Sequence, residues 1–188
     1  MKYIPTSAKK VFTGVVFEVY QWRQKMFNNT HEIFEVVKRS DTVEVVGVTV
    51  GKKIIVLKQK QPHTKWYYSL PGGLVNQDES RRQGAQRELK EETGYQAGKL
   101  VLWKSIQPYS KMIYSINIFL AYDCLKNGGL NLDCGEKIEV QLLSFDQLLK
   151  LAENPLFMTT GYFRSTLIRA LYSQKHRQAL KKLFFKTL

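Results

Sequence analysis

Three glutamates, Glu88, Glu91 and Glu92, stand at i, i+3 and i+4 within a stretch, Ser80 to Glu92, whose composition is helical and whose C-cap is Gly94. One turn of one helical face then carries three carboxylates. Such groups repel one another and desolvate badly unless a cation lies among them. A hard divalent ion meets that need, because Mg²⁺ takes oxygen ligands and bridges carboxylates to substrate phosphates. Arg87, beside the cluster, offsets part of the charge. Taken alone, three glutamates also fit a plainer description, the solvated Glu/Lys face of a surface helix.

Their neighbours set them apart. From Gly73, five residues lead to Glu79 and seven more to Arg87-Glu88-Leu89-Lys90-Glu91-Glu92-Thr93-Gly94-Tyr95. This resembles, position for position, the Nudix signature G-x5-E-x7-R-E-U-x-E-E-x-G-U, where U is apolar or aromatic. Ser69-Leu70-Pro71-Gly72-Gly73 resembles the usual family entry into it. The resemblance implies hydrolysis of a nucleoside diphosphate linked to another moiety, with water attacking phosphorus. It assigns Glu88, Glu91 and Glu92, with a backbone carbonyl near Gly73, to Mg²⁺, with Mn²⁺ as the alternative. Arg87 would orient a carboxylate by salt bridge, and Glu79 would support the loop or a metal-bound water. Such ions neutralise a diphosphate and lower the pKa of the attacking water, and positioning supplies most of the remaining catalysis.

The flanks resemble the ADP-ribose and nucleotide-sugar pyrophosphatase branch. There the N-terminal strands form a homodimer and help build the partner's substrate site. Pro108, thirteen residues beyond Tyr95, is near the proline that marks ADP-ribose enzymes. Gly135 to Val140 resembles a mobile loop whose glutamate is the general base, with Glu136 the best match and Glu139 in reserve. Lys58-Gln59-Lys60-Gln61-Pro62 departs from the branch's Arg-Gln-x-Arg-Pro, putting Gln61 where a phosphate-binding arginine is expected. Lys58 or Lys60 would have to stand in, and a lysine cannot reproduce a bidentate fork. Arg39 aligns with a nucleotide-contacting position. Trp66, Tyr67 and Tyr68, like Tyr20, Trp22 and Phe27, could stack on a base or fill the core.

The elements that must position these groups follow from local pattern. Val11 to Tyr20 and Glu32 to Val37, around an Asn28-Asn29 turn, read as an antiparallel pair. Val43 to Val50 and Ile54 to Leu57 read as a buried hairpin turning at Gly51. Further strands are expected at Tyr67 to Leu70, Leu100 to Ser105, Met112 to Tyr122 and Lys137 to Leu143. Ser144 and Gln147 form a capping box opening a helix through Leu151. The expectation is an α+β chain, an α/β/α Nudix sandwich with a mixed central sheet. Residues 1–40 would be the strand-pair extension and 41–188 the hydrolase domain with a basic C-terminal helix.

Composition bounds the rest. The chain has 188 residues, 29 Lys+Arg against 16 Asp+Glu, and a formal charge of +13. From Asn154 onward it has no acidic residue, yet holds seven basic ones in an amphipathic pattern. That tail is read as a helix packing its apolar face on the domain and leaving its basic face solvated. It also keeps an RNA-directed activity, removal of a 5′ cap or pyrophosphate, as the alternative. A non-catalytic ADP-ribose sensor is disfavoured because all four motif glutamates are present. No leader, no membrane span and only Cys124 and Cys134 point to a reduced, cytoplasmic protein without membrane partners.

Overall fold

The computed structural model describes residues 4–186, and the part of the leader expectation that falls on Met1 to Tyr3 lies outside them. Three strands open the chain as an antiparallel meander, β1 (Lys9–Thr13), β2 (Glu18–Lys25) and β3 (His31–Lys38). A pair was expected. The extra strand arises because Gly14 to Phe17 turn the chain, the Gly14 amide donating to the Phe17 carbonyl at 2.8 Å, where the alternation looked unbroken. The Asn28 side chain then receives the amide and hydroxyl of Thr30 in the second turn.

The hairpin β4 (Thr42–Thr49) and β5 (Ile54–Lys60) lies at the centre of a second, mixed sheet. Next come β6 (Tyr67–Ser69), helix α1 (Arg81–Thr93), β7 (Tyr95–Gln96) and β8 (Lys99–Ile106). The expected strand Met112 to Tyr122 is divided into β9 (Met112–Ile113) and β10 (Ile116–Lys126). The Asp41 carboxylate takes the Ser115 amide at 2.6 Å and fixes the break. As a result β9 joins β3 in the first sheet, while β10 runs parallel to β4 and antiparallel to β8 in the second. β11 (Lys137–Leu143), helix α2 (Phe145–Leu151) and β12 (Phe157–Met158) complete that sheet and begin its second covering layer.

The period of two in the hairpin decides the layers. Val43, Val45 and Ile55 face Ala85 and Leu89 of α1. Val46, Val48, Ile54 and Val56 face the other way, onto α2 and the tail. The sequence expectation of an α/β/α sandwich therefore matches the architecture. The tail, expected as one helix, is two: α3 (Gly161–Tyr172) and α4 (Gln174–Phe184), broken where Ser173 takes an extended backbone. Their buried residues, Phe163, Leu167, Ala170, Leu180 and Phe184, extend the core. The Phe184 ring packs edge-on against Trp103 and Phe145, each centroid at 6.1 Å. Among the described residues no helix is long and apolar enough to cross a membrane.

Candidate active site

Helix α1 begins at a reciprocal box in which the Ser80 hydroxyl accepts from the Gln83 amide and the Gln83 side chain accepts from the Ser80 amide. It ends at Gly94, whose amide returns to the Lys90 carbonyl. The loop leaving β6 zips along β4, with Val45 donating to the Pro71 carbonyl and Val43 to the Gly73 carbonyl. Gly72, at φ 156°, lies so close to β4 that a Cβ there would meet the Val43 carbonyl oxygen at 2.2 Å. A Cβ on Gly73 would meet the Glu88 carboxylate at 2.4 Å. Bare backbone therefore borders the carboxylates.

Arg87 organises them. Its Nη2 and Nε grip Glu79 at 2.7 and 3.1 Å, and Nη1 reaches both Glu88 and Glu91 at 2.9 Å. Nη2 also donates to the Leu74 carbonyl. Glu92 turns the other way and accepts the Gly72 amide at 2.7 Å. Among the described residues, no three acidic, His or Cys side chains stand together at ligating geometry, because Arg87 draws Glu88 and Glu91 while Gly72 draws Glu92. The Gly73 carbonyl has one lone pair engaged by Val43 and one left. The donor set is nonetheless all hard oxygen, which fits Mg²⁺ or Mn²⁺.

Charge and burial oppose each other here. Burial pushes the Glu92 carboxyl well above its ordinary range, against the pull of the Gly72 amide, and nearby Glu88, Glu136 and Glu91 add to the rise. Glu88 is raised as well, by burial first, with Arg87 opposing. Glu79 moves down because Arg87 donates to it, and Arg87 is raised in return. A buried cluster that resists ionisation gains most from an incoming cation.

The loop between β10 and β11 brings Glu136 to this cleft. It shares a cavity of about 590 Å³ with Glu88, Glu91, Glu92 and Asp133. Burial raises the Glu136 carboxyl, with a backbone hydrogen bond from Asp133 opposing and the charges of Asp133 and Glu91 adding. Glu139 is not brought there: it lies across the ladder from Lys58 and pairs with its ammonium at 2.9 Å. Lys58 also sits over the Trp66 ring at 4.8 Å, and neither residue lines the cleft or the larger cavity beside it. Arg39 lies 4.8 Å from the Tyr114 ring centroid and 5.8 Å from that of Phe17, its buried Nε without a hydrogen-bond partner.

That larger cavity, about 650 Å³, opens across the Gly72–Gly73 rim on the opposite face of the sheet from α1. Tyr67, Tyr109, Tyr114 and Tyr162 line it, as do Pro108 and the buried Glu44. Sequence reasoning reached Tyr67 and Pro108 but missed the others. Glu44 did leave a signal, a lone acid inside the β-branched run Val43 to Val50. Tyr114 and Tyr162 left none, since only the strand break and the start of α3 carry them there.

Known proteins resemble this chain in sequence and in fold. A model of the NUDIX domain matches residues 38–160. The chain is 31% identical over 151 residues to an ADP-ribose pyrophosphatase of Bacillus subtilis (strain 168), covering 78% of this chain and 80% of that protein. It is 26% identical over 178 residues to a methanol dehydrogenase activator of Bacillus methanolicus, covering 92% of each. A crystal structure of an ADP compounds hydrolase has the same fold, with TM-score 0.71, 97% of this chain and 95% of that chain covered, and 20% identity. The matched span contains α1, the bare glycine rim and the Glu136 loop, and the chain belongs to the Nudix hydrolase family.

Proposed function

We propose that the protein hydrolyses the diphosphate of a nucleoside diphosphate linked to another moiety, with ADP-ribose or a nucleotide sugar as substrate. The observation that carries this reading is the facing of Glu88, Glu91 and Glu92 by Glu136 across one cavity beside the bare Gly72–Gly73 backbone. Glu88, Glu91, Glu92 and the Gly73 carbonyl would hold Mg²⁺, which supplies charge neutralisation and an acidified water. Arg87 orients Glu88 and Glu91, and Glu79 anchors Arg87. Glu136 takes the proton of the attacking water, a role suited to a carboxylate whose pKa burial moves toward neutrality. The Bacillus subtilis relative, an ADP-ribose pyrophosphatase, lends the substrate class.

Residues 1–40 act in this reading as a dimerisation extension, and 41–188 as the hydrolase domain. Support comes from the exposed apolar side chains Phe12 and Ile33 on the first sheet and Val15 in the turn between β1 and β2, which a second copy would cover. Two free cysteines, Cys124 buried and Cys134 exposed, fit a reducing cytoplasm.

The test is a panel of ADP-ribose, nucleotide sugars, dinucleoside polyphosphates, nucleoside triphosphates and capped RNA, each with Mg²⁺ or Mn²⁺. Turnover of a nucleoside diphosphate conjugate at the diphosphate is expected. Exclusive turnover of capped RNA, falling steeply with salt, would replace this reading with the RNA-directed one.

A further inference from the structure

The cavity beside the carboxylate cleft is as large as a typical small-molecule site. It shares only the Gly72 and Gly73 backbone with that cleft, so a diphosphate held by the carboxylates delivers whatever is attached to it over this rim. Two of its walls are braced from behind. The Arg39 guanidinium backs Tyr114, and the Trp103 ring meets Tyr162 edge-on at 5.7 Å while Lys104 lies over it at 5.4 Å. Flat rings held in place favour a flat occupant, and stacking on them is tolerant of which base it is. A sugar would instead call for polar groups along most of the wall.

The polar corner supplies the selectivity. Glu44, on β4, takes the hydroxyls of Thr159 and Thr160 and the Thr160 amide. The Thr160 oxygen also accepts the Phe163 amide as the cap of α3. Both hydroxyl hydrogens are thus committed to the carboxylate, and an occupant meets lone pairs. Only a donor can satisfy them. A site whose buried groups are paired by the right ligand rejects an analogue that leaves them unpaired.

Resting on the hydrolase reading above, we infer that the tyrosine-lined cavity binds the nucleobase of the substrate, and that Glu44 with Thr159 and Thr160 selects bases bearing an exocyclic amino group over their oxo counterparts. Glu44 already accepts three hydrogen bonds from these threonines, so one added donor completes its shell. Burial pushes its carboxyl above the ordinary range, and each donated hydrogen bond opposes that shift.

Adenosine and inosine 5′-monophosphates differ at that group and separate base recognition from catalysis. Calorimetry on the full chain in EDTA should show the adenine nucleotide binding about tenfold or more tightly than the hypoxanthine one, with ribose 5-phosphate weaker than both. Glu44→Gln, which offers an amide donor in place of lone pairs, should shrink that ratio to about threefold or invert it. Tyr162→Leu, at the half-exposed rim, should weaken both nucleotides by a similar factor and leave their ratio unchanged. Equal affinities in the wild type, or a ratio indifferent to Glu44→Gln in a variant of native melting behaviour, overturns the assignment. Should Glu44→Gln not fold, an unaltered affinity for both nucleotides in Tyr162→Leu overturns it instead. A protein that discriminates the two yet hydrolyses nothing would sink the hydrolase reading alone.

Discussion

Arg87 holds Glu79 in a two-pronged grip, Nη2 to Oε1 at 2.7 Å and Nε to Oε2 at 3.1 Å, and Glu79 in turn accepts the Asn76 amide at 2.8 Å. This fork fastens the loop before α1 to the helix itself and leaves Nη1 to aim at Glu88 and Glu91. A lysine at this position would keep the charge and lose the fork. Arg87→Lys should therefore cost roughly 1 kcal/mol of stability, discounted for partial exposure. Its kcat should drop more, by about tenfold or more, since misplacing the carboxylates acts on chemistry directly. Melting curves and steady-state kinetics on the same preparation separate the two effects; an unchanged kcat would remove Arg87 from the positioning role.

Glu92 is 5% exposed and its carboxyl sits well above the ordinary range because of burial. A group whose folded-state pKa is raised holds its proton more tightly when folded than when unfolded. Stability therefore falls as pH climbs from the ordinary carboxylate range through the raised value. Glu92→Gln keeps an oxygen for the Gly72 amide and removes that penalty. In EDTA at pH 8 it should melt above the wild type by a few degrees, about 1 kcal/mol for a chain of this size, while at pH 4 the gap closes. It should also lose nearly all turnover with Mg²⁺. A lower melting point at pH 8 would contradict the burial account.

For Glu136 the informative variable is the acid limb of the rate. A base works only deprotonated, and burial together with Asp133 and Glu91 raises this carboxyl. The limb in kcat/KM should therefore lie above the ordinary carboxylate range. Glu136→Gln should lower kcat by a factor on the order of 10², whereas Glu139→Gln, which only releases Lys58, should stay near wild type. Equal losses in both variants would move the base elsewhere.

The adjacent glycines give opposite outcomes. Gly72→Ala drives a methyl into the Val43 carbonyl, backbone that cannot yield, and should destabilise by about 1–3 kcal/mol. Gly73→Ala meets only the movable Glu88 carboxylate, so the protein should melt almost normally and lose Mg²⁺-dependent activity. Differential scanning calorimetry beside an activity assay would show it; parallel losses in the two variants would mean the rim serves folding alone.

Much of this site could be read along the chain because it is local. The Gly73-to-Tyr95 spacing lies within one loop and one helix, so the positions of Arg87, Glu88, Glu91 and Glu92 follow from helical geometry. The capping box at Ser144 and Gln147 likewise marks α2 to the residue. What escaped was non-local. The turn at Gly14 and the break at Ser173 interrupt apolar patterns that run on unchanged through them, so hydrophobic period alone could not place either. Lys58 and Trp66 looked like recognition groups by chemistry, yet strand register gives Lys58 to Glu139. Glu44, Tyr114 and Tyr162 meet only after three separate segments have folded together.

The division of the run Met112 to Lys126 between two sheets has a mechanical meaning. Just two residues, Tyr114 and Ser115, separate the strand that belongs to the N-terminal sheet from the strand that belongs to the central one. The first of them is a wall of the tyrosine-lined cavity. The N-terminal sheet is thereby a lever whose short arm is Tyr114. A partner that seated on that sheet and displaced it would act on the cavity through Tyr114, and an occupant of the cavity would by reciprocity act on the partner.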